Sequence, residues 1–292
     1  MGRPVRRAVA AREYPCPVKV VRTKEELKAL LPETGTVGLV MTMGALHDGH
    51  RRLVDAAVNE CDTTVVSIYV NPLQFAPNED FDKYPRQLEK DLKLLTDVDI
   101  VFAPVDEEMY PRHPLVRVDP GEVATRFEGK TRPTHFAGVL QVVLKVLLLV
   151  RPDVAYFGQK DAQQLALIKT MVADLDVPTE IRAIPIVRDS DGLALSSRNT
   201  YLSPEERTAA LALVGALTAA KEAAGTGATP SEAERVLATA LAEAEGVNVD
   251  YATIVNPDTF QPVSSNAKQG LAVVAARVGP TRLIDNMEVC FG

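Results

Sequence analysis

The feature that most constrains the fold of this chain is an alternation of short β-branched runs with amphipathic helical segments between residues 18 and 189. The runs TVGLVMT (36–42) and TTVVSIYV (63–70) are typical of buried strands. Between them, residues 50–60 place their apolar side chains on one face of a predicted helix. Because strand–helix–strand alternation implies parallel pairing with right-handed crossovers, the sequence predicts an α/β fold with a doubly wound, Rossmann-like parallel sheet.

The rest of this region continues the same alternation. Further predicted strands cover residues 98–102, 153–157 and 180–187, and further predicted helices cover residues 86–96, 136–150 and 162–173. Ligands of doubly wound sheets bind at the carboxyl ends of the strands, so the loops that lead from strand to helix are the places where a site is expected.

Beyond residue 189 the pattern changes to that of a smaller α+β domain. Ser203 is a predicted N-cap with Pro204 at the first helical position, and an Ala- and Leu-rich helix runs from there to about Ala224. The stretch GTGATP (225–230) breaks this helix, and a second helix is predicted over residues 231–245, followed by strands over 249–255, 271–278 and 282–289. We therefore predict an N-terminal tail over residues 1–17, a Rossmann-like domain over 18–189 and a C-terminal α+β domain over 190–292.

The composition excludes several classes of protein. A net charge of −7 argues against a nucleic-acid binder with a broadly basic face. No apolar stretch reaches the ~18–20 residues that a membrane span needs, and the nearest one, 139–150, contains Gln141 and Lys145. The cysteines, at positions 16, 61 and 290, lie far apart, which fits a reducing compartment and provides no disulfide or zinc framework. We expect a cytoplasmic protein without nucleic-acid or membrane partners.

The first dozen residues are basic but lack the apolar core of a secretory signal. A transit peptide would also be basic and amphipathic. Because this segment is short and interrupted by proline, we favour a frayed tail.

Two of the four histidines lie in one tetrapeptide, His47-Asp48-Gly49-His50, between the strand predicted at 36–42 and the helix that follows. A helix N-terminus presents unpaired N–H groups and a partial positive charge, which attract phosphate. Two imidazoles three residues apart can donate hydrogen bonds to a phosphoryl group and stabilise the charge that develops during its transfer. A pair of surface or metal-binding histidines is the alternative, but no Cys or third His lies nearby.

A second strand-to-helix turn carries Gly158-Gln159-Lys160-Asp161. A lysine that opens a helix after a glycine suits a phosphate, and Asp161 could accept a hydrogen bond from a ribose or an adenine. Gln164 follows Asp161 at i,i+3 spacing and would face the same cleft. Lysines near helix starts are common, so this cluster is weak evidence by itself.

A third cluster, Leu195-Ser196-Ser197-Arg198-Asn199, lies near the predicted domain boundary. Two hydroxyls and a guanidinium on one loop can clamp an oxyanion, and the loop can move. A polar linker is the alternative interpretation.

The segment NPLQF (71–75) directly follows the strand predicted at 63–70 and leads into an acidic loop with Tyr84. Asn71 and Gln74 provide uncharged donors and acceptors suited to a hydroxylated small molecule. The alternative is turn chemistry, since Asn-Pro starts turns readily.

Together these motifs resemble the pantoate–β-alanine ligase family, which belongs to the adenylyl-transfer superfamily with a His-x-Gly-His loop. The resemblance spans nearly the whole chain in the family's order. The matching stretches are TMGALHDGH (42–50), YVNPLQF (69–75), DKYPR (82–86), RPTHFAGV (132–139), FGQKDAQQL (157–165), LSSRN (195–199) and TRLIDN (281–286).

The resemblance implies an enzyme that condenses (R)-pantoate with β-alanine to pantothenate through a pantoyl adenylate, with ATP as co-substrate and AMP and pyrophosphate as products. His50 would be the proton donor in adenylate formation, and the other catalytic groups would be His47, Lys160 and Arg198. Gln74 and Gln164 would bind pantoate, with Gln74 also binding β-alanine and with Asn71 and Tyr84 as further candidates. The implied ATP-binding residues are Met43, His47, His50, Gly158, Lys160, Asp161, Val187, Leu195, Ser196, Ser197 and Arg198.

The resemblance also implies a homodimer that uses Mg²⁺. We predict that the C-terminal domain serves as a lid. Met41 stands where many members of the family have proline, and Gln159 replaces a usual glutamate. In the stretch Glu89-Lys90-Asp91 only Asp91 is a candidate metal ligand, which leaves the ATP phosphates as the main ligands of the metal.

Other functions share part of this pattern. A nucleotidylyltransferase that moves AMP onto a phosphate uses a similar His-x-Gly-His loop, but the stretches SSRN (196–199) and NPLQF (71–75) speak against it. A tRNA synthetase is disfavoured by the lack of a basic composition. A nucleotide-binding protein without turnover would not need all of the catalytic polar groups. Because this chain contains all four of them, His47, His50, Lys160 and Arg198, this alternative is disfavoured.

Overall fold

The first structural unit is a sheet of six parallel strands. The computed structural model describes residues 18–77, 79 and 81–292, so the predicted tail of residues 1–17 lies outside the described part. The strands are β1 (Lys19–Val21), β2 (Val37–Thr42), β3 (Thr63–Ile68), β4 (Ile100–Phe102), β5 (Val154–Gly158) and β6 (Glu180–Ile184). They stand in the order β1-β4-β3-β2-β5-β6, and every neighbouring pair is parallel. The predicted doubly wound α/β fold is confirmed.

Helices connect these strands. They are α1 (Lys24–Leu30), α2 (Asp48–Glu60), α3 (Leu88–Leu92), α4 (Asp106–Met109), α5 (Glu128–Thr131), α6 (His135–Val150) and α7 (Ala162–Asp174). Short 3-10 helices add single turns at Pro72–Gln74, Glu122–Thr125, Gln159–Asp161 and Ser197–Tyr201.

Several predicted elements are shorter than the sequence suggests, and the structure gives a physical cause for two of these differences. The strand predicted over 180–187 ends at Ile184, because Pro185 has no N–H to donate to a ladder. The helix predicted over 86–96 is only α3, and beyond Leu92 the chain continues in turns of i→i+3 hydrogen bonds. The carbonyl of Leu94 accepts instead from the guanidinium of Arg51 at 2.8 Å, so a tertiary contact overrides helix propensity here.

Both faces of the parallel sheet are buried. Leu39 and Phe102 belong to the apolar cluster that includes the buried face of α6, whereas Val40 and Val66 belong to the cluster that includes α2. Consecutive residues of one strand thus point into different cores, which explains why the central strand β2 is rich in apolar residues along its length, whereas the edge strands β1 and β6 carry charged residues.

The second structural unit packs two helices on a three-stranded antiparallel sheet. Its elements are α8 (Pro204–Gly225), α9 (Pro230–Ala242), β7 (Val247–Val255), β8 (Gln269–Val278) and β9 (Thr281–Cys290). Ser203 and Thr229 cap the two helices, each in a capping box with a glutamate three residues later. The predicted smaller α+β unit is confirmed, and within the described part of the chain no helix is long and apolar enough to span a membrane.

Candidate active site

The loop after β2 is held in a sharp turn by a buried carboxylate. Gly44 and Ala45 both have positive φ, at 82° and 53°. Asp91, only 1% exposed, accepts the N–H of Ala45 at 3.0 Å on one oxygen and the N–H of Leu46 at 2.9 Å on the other. A Cβ on Gly44 would lie 3.0 Å from Asp91 Oδ2, so this turn needs glycine for its φ and for space.

His47 and His50 lie at the N-terminus of α2, and a backbone N–H orients each ring. Gly49 donates to Nδ1 of His47 at 3.1 Å, and the N–H of His47 donates to Nδ1 of His50 at 3.3 Å. The two ring centroids are 4.1 Å apart. Since Nδ1 is the acceptor in both rings, each neutral imidazole carries its proton on Nε2 and can donate it to a ligand.

Both imidazoles are uncharged at neutral pH. Burial, and then the neighbouring His47, lower the pKa of His50 to about 3. Burial and then Lys160 lower the pKa of His47 below its usual range. The pair therefore acts as two neutral N–H donors. They stabilise an anion by hydrogen bonding, without the positive charge of an imidazolium ion.

Lys160 and Arg198 supply the positive charge of the site. Lys160 lies in the 3-10 turn after β5, and Arg198 lies in the 3-10 turn that Ser196 caps by accepting the N–H of Arg198 at 3.2 Å. Neither side chain makes a hydrogen bond or an ion pair with any residue among 18–77, 79 and 81–292. Two free cations beside a helix N-terminus are suited to a polyphosphate.

One cavity of about 270 Å³ brings these groups together at the carboxyl ends of the strands. The loop of residues 195–198 lines it, and the N–H of Leu195 donates to the carbonyl of Val187, three residues beyond the end of β6, at 2.9 Å. A second cavity, of about 160 Å³, adjoins the first and shares Lys160 and Arg198 with it. Lining the larger cavity are the predicted site residues Met43, His47, His50, Gln74, Tyr84, Gly158, Lys160, Asp161, Gln164, Val187, Leu195, Ser196, Ser197 and Arg198.

Asn71 is placed differently from the prediction that it binds substrate. It is 1% exposed and does not line the larger cavity. Its amide donates to the carbonyl of Gly138 at 3.0 Å and to Oε1 of Gln74 at 3.2 Å, and its carbonyl oxygen accepts from the hydroxyl of Tyr110 at 3.2 Å. Other protein groups thus take up the hydrogen-bonding atoms of this side chain. One of its partners, Gln74, does face the cavity.

The assignment of Asp91 as a magnesium ligand does not fit the structure either. Both carboxylate oxygens accept backbone N–H groups of the loop after β2, and the side chain is buried behind that loop. Across the described residues no three or more His, Cys, Asp or Glu side chains group closely enough to hold a metal ion. Asp91 therefore shapes the loop that carries the histidines.

Comparison with known proteins agrees with this geometry. Residues 19–288 match the sequence profile described as Pantoate-beta-alanine ligase. The chain belongs to the pantoate-beta-alanine ligase family. It is 52% identical over 275 residues to the pantothenate synthetase of Acidothermus cellulolyticus, an alignment that covers 92% of this chain and 90% of that protein. As a member of this family, the chain is a ligase of the pantothenate-forming type.

Solved structures of the family share the fold. The crystal structure of pantothenate synthetase from Thermus thermophilus superposes with a TM-score of 0.88 at 48% identity, covering 93% of this chain and 99% of that one. The pantoate-beta-alanine ligase of Francisella tularensis, complexed with beta-gamma ATP and beta-alanine, superposes with a TM-score of 0.75 at 34% identity, covering 92% of this chain and 97% of that one.

Two further residues that line the larger cavity, Arg132 and His135, are not singled out by the sequence motifs. His135, at the start of α6, donates from Nδ1 to the carbonyl of Gln74 at 3.0 Å, and its Nε2 accepts from Arg132 at 3.2 Å. Arg132 also pairs with Glu79, at 2.6 and 2.5 Å. Burial, and then Arg132, lower the pKa of His135 to about 4. Both residues belong to the stretch RPTHFAGV (132–139). This stretch does not follow a predicted strand, so it is not among the loops where a site is expected.

The two units of the ligase meet through a partly buried ionic cluster. Arg282 of β9 donates to both carboxylate oxygens of Glu128 in α5, at 2.6 and 2.7 Å, and to Asp250 at 2.6 Å. The hydroxyl of Tyr251 donates to Glu128 at 2.9 Å. Since Arg282 and Glu128 line the smaller cavity, the C-terminal unit forms part of the cleft wall.

Proposed function

We propose that this ligase condenses pantoate with β-alanine in two steps, with ATP as the co-substrate and a pantoyl adenylate as the intermediate. The observation that carries the proposal is the pairing, across one cavity, of two neutral imidazole donors with two cations, Lys160 and Arg198, that have no partner among the described residues. The Francisella tularensis ligase, complexed with beta-gamma ATP and beta-alanine, supports ATP and β-alanine as ligands of the site.

In the first step the pantoate carboxylate attacks the α-phosphorus of ATP. A carboxylate oxygen forms the new P–O bond while the bond to the β-phosphate oxygen breaks, and pyrophosphate leaves with the electron pair. Nε2–H groups of His47 and His50 donate to the phosphate oxygens on which charge develops. Lys160 and Arg198 neutralise the departing pyrophosphate, and Gln74 and Gln164 hold the acid.

In the second step the β-alanine amine attacks the carbonyl carbon of the adenylate. Once the C–N bond is complete, the acyl C–O bond breaks and AMP leaves with the electron pair, and the nitrogen loses its proton to solvent water to give the amide. The cleft supplies position and charge stabilisation, and no protein nucleophile is required. Gln74 is well placed for both steps, since its side chain faces the cavity and Asn71 holds it in place.

The side-chain amide of Gln74 also fixes Met43 beside the histidines, because Nε2 of Gln74 donates to Sδ of Met43 at 2.9 Å. Met43 precedes Gly44 in the loop after β2, and both Met43 and Gln74 line the cavity. This contact joins the proposed acid-binding side chain to the proposed nucleotide-binding loop.

Pyrophosphate release tests the proposal. With ATP, Mg²⁺ and pantoate alone, we expect a single burst of about one pyrophosphate per site, and steady turnover with AMP formation after β-alanine is added. Lys160→Ala and Arg198→Ala should each lower the burst rate by ~10²–10³-fold, whereas Arg207→Ala, outside the cavity, serves as the matched control. Absence of release with pantoate from folded protein that binds ATP would reject the proposal, and release with a phosphorylated acceptor instead would indicate a nucleotidylyltransferase.

We also propose that the ligase is a cytoplasmic homodimer. Leu115 and Val116 support self-association, because these adjacent apolar side chains are 83% and 82% exposed. Light scattering after size exclusion measures the mass directly. A dimer that Leu115→Glu dissociates would support the proposal, and a monomer at micromolar concentration would overturn it.

A further inference from the structure

In the C-terminal sheet, one strand directs a row of side chains towards the first structural unit. Along β9, alternate residues point the same way, and Arg282, Asn286 and Glu288 all reach elements of the first unit. The stretch TRLIDN (281–286) ends at Asn286, which has no part in the two chemical steps described above. Asn286 is 6% exposed, so its amide must find partners inside the protein.

Those partners are the main chain that carries Lys160. Nδ2 of Asn286 donates to the carbonyl of Gln159 at 3.0 Å and to the carbonyl of Lys160 at 3.0 Å. Both acceptors lie in the 3-10 turn that follows β5 and precedes α7. One amide group of the C-terminal unit therefore holds the backbone on both sides of the Lys160 N–H.

Asp285, the preceding residue, contacts the segment that leads to the other cation, Arg198. Its carboxylate accepts two hydrogen bonds from Arg188, at 2.6 and 2.9 Å, and the N–H of Asn286 at 2.7 Å. Arg188 opens the short hairpin that leads to the 195–198 loop, since it forms a bridge with Ala194 and donates to the carbonyl of Gly192. Asp285 is 4% exposed, which protects this contact from solvent.

We propose that Asn286 is a positioning residue that holds Lys160 in place for its action on the polyphosphate. Neither cation has a side-chain partner among the described residues, so the place of each charged group depends on its own backbone. Asn286 anchors the backbone of Lys160, and Asp285 anchors, through Arg188, the hairpin before Arg198. The C-terminal unit then does more than line the cleft, because it also fixes the backbone segment that carries Lys160.

This inference rests on the proposed function, and it predicts that only one of the two half-reactions slows. Both cations act on the polyphosphate, which is present only until pyrophosphate leaves. A displaced Lys160 should slow adenylate formation and leave the attack of β-alanine on a preformed adenylate almost unchanged. A general loss of structure would slow both half-reactions.

The test uses Asn286→Leu, which removes the donor and keeps the number of heavy atoms, and Asn286→Ala, which removes the whole amide. Single-turnover pyrophosphate release should slow by about 10–100-fold in both variants, a range typical of a displacement of about 1 Å at a reacting site. Aminolysis of isolated pantoyl adenylate should change by less than about threefold. Glu288→Gln is the matched control, because Glu288 faces the side chain of Gln159 and leaves the two carbonyls untouched.

A double-mutant cycle identifies the route of the effect. In a Lys160→Ala background, Asn286→Leu should slow pyrophosphate release no further, because both substitutions remove the same interaction. Additive effects, or equal slowing of the two half-reactions, would overturn the positioning role. The proposed function itself fails separately, if the unmodified enzyme releases no pyrophosphate with pantoate. Thermal unfolding confirms that each variant is folded, and Asn286→Ala replaces Asn286→Leu if the latter is not.

Discussion

Asp91 accepts the backbone N–H of Leu46 at 2.9 Å, across 45 positions of the chain. Its second oxygen accepts the N–H of Ala45 at 3.0 Å. The two N–H groups point to one side because Gly44 and Ala45 both have positive φ. A buried anion behind the loop therefore sets the conformation that presents the two histidines.

Replacing Asp91 by Asn should lower the free energy of unfolding by about 2–3 kcal/mol, because a charge-assisted acceptor is lost and an amide NH₂ meets a backbone N–H. Urea unfolding at pH 7 measures the change. Glu89→Gln, on the exposed side of α3, should stay within about 0.5 kcal/mol of the unmodified protein.

The same pair of variants separates the loop-shaping role of Asp91 from a metal-binding role. Because the carboxylate faces the backbone, the Mg²⁺ concentration for half-maximal activity should be the same in Asp91→Asn as in Glu89→Gln. A rise of that concentration in Asp91→Asn alone would restore Asp91 as a metal ligand.

Gly44→Ala should destabilise the protein by about 1–2 kcal/mol, since φ is 82° and a methyl group would press on Asp91. Pyrophosphate release should fall with it, because the histidine loop loses its shape. Gly215→Ala is the control. It lies within α8, where a Cβ meets nothing within 4 Å, and it should raise stability by up to about 1 kcal/mol. Equal stability of the Gly44 variant and the unmodified protein would contradict this account.

Stability should fall between pH 6.5 and 5 because of buried histidines. The folded pKa values of His50 and His135, about 3 and about 4, lie below the unfolded value near 6.5. The unfolded chain therefore binds protons first, so this stability is fully present above about pH 6.5 and is lost as the pH falls towards 4. The slope approaches ~1.4 kcal/mol per pH unit for each histidine.

Urea unfolding at half-unit steps from pH 5 to pH 7.5 measures this slope, in a range where most carboxylates remain ionised. His135→Gln should lower the dependence of the unfolding free energy on pH by the contribution of one histidine. A free energy of unfolding that stays constant over this range would show that the two imidazoles titrate normally in the folded protein.

Arg282→Met should cost about 3 kcal/mol of stability, because it leaves Glu128 and Asp250 without their cation at a site where Arg282 is 15% and Glu128 14% exposed. Arg207→Met removes ion pairs to Asp189 and Asp191 that are more exposed, and it should cost clearly less stability than Arg282→Met. Denaturant unfolding of the two variants provides the comparison. Similar losses would mean that the cluster between the two units contributes no more than a surface pair.

Much of the fold was predictable from local pattern. The runs at 36–42 and 63–70 form the strands β2 (Val37–Thr42) and β3 (Thr63–Ile68), and the turns after them carry His47 and Gln74 into one cavity. These predictions succeed because a parallel sheet brings the carboxyl ends of its strands to one edge, so chain order is enough to place the loops together. The shortened α3 was not predictable, since Arg51 takes the carbonyl of Leu94 from a distant helix.

The roles of particular polar residues required the tertiary structure. Asn71 and Asp91 have residue types that suit a substrate and a metal, yet their partners are the carbonyl of Gly138 and the N–H groups of Ala45 and Leu46. Asn286 has its partners 126 and 127 positions away. No periodicity or spacing specifies such contacts.

The sequence by itself determined the parallel sheet, the smaller antiparallel unit, the cluster of chemistry-bearing loops and, through its motifs, the ligase family. The tertiary structure alone decided which polar groups face the cavity and which support it from behind. The physical reason is that a buried polar group must be satisfied by whatever partner the fold brings within about 3 Å. That partner is set by packing over the whole chain and leaves no mark on the local sequence.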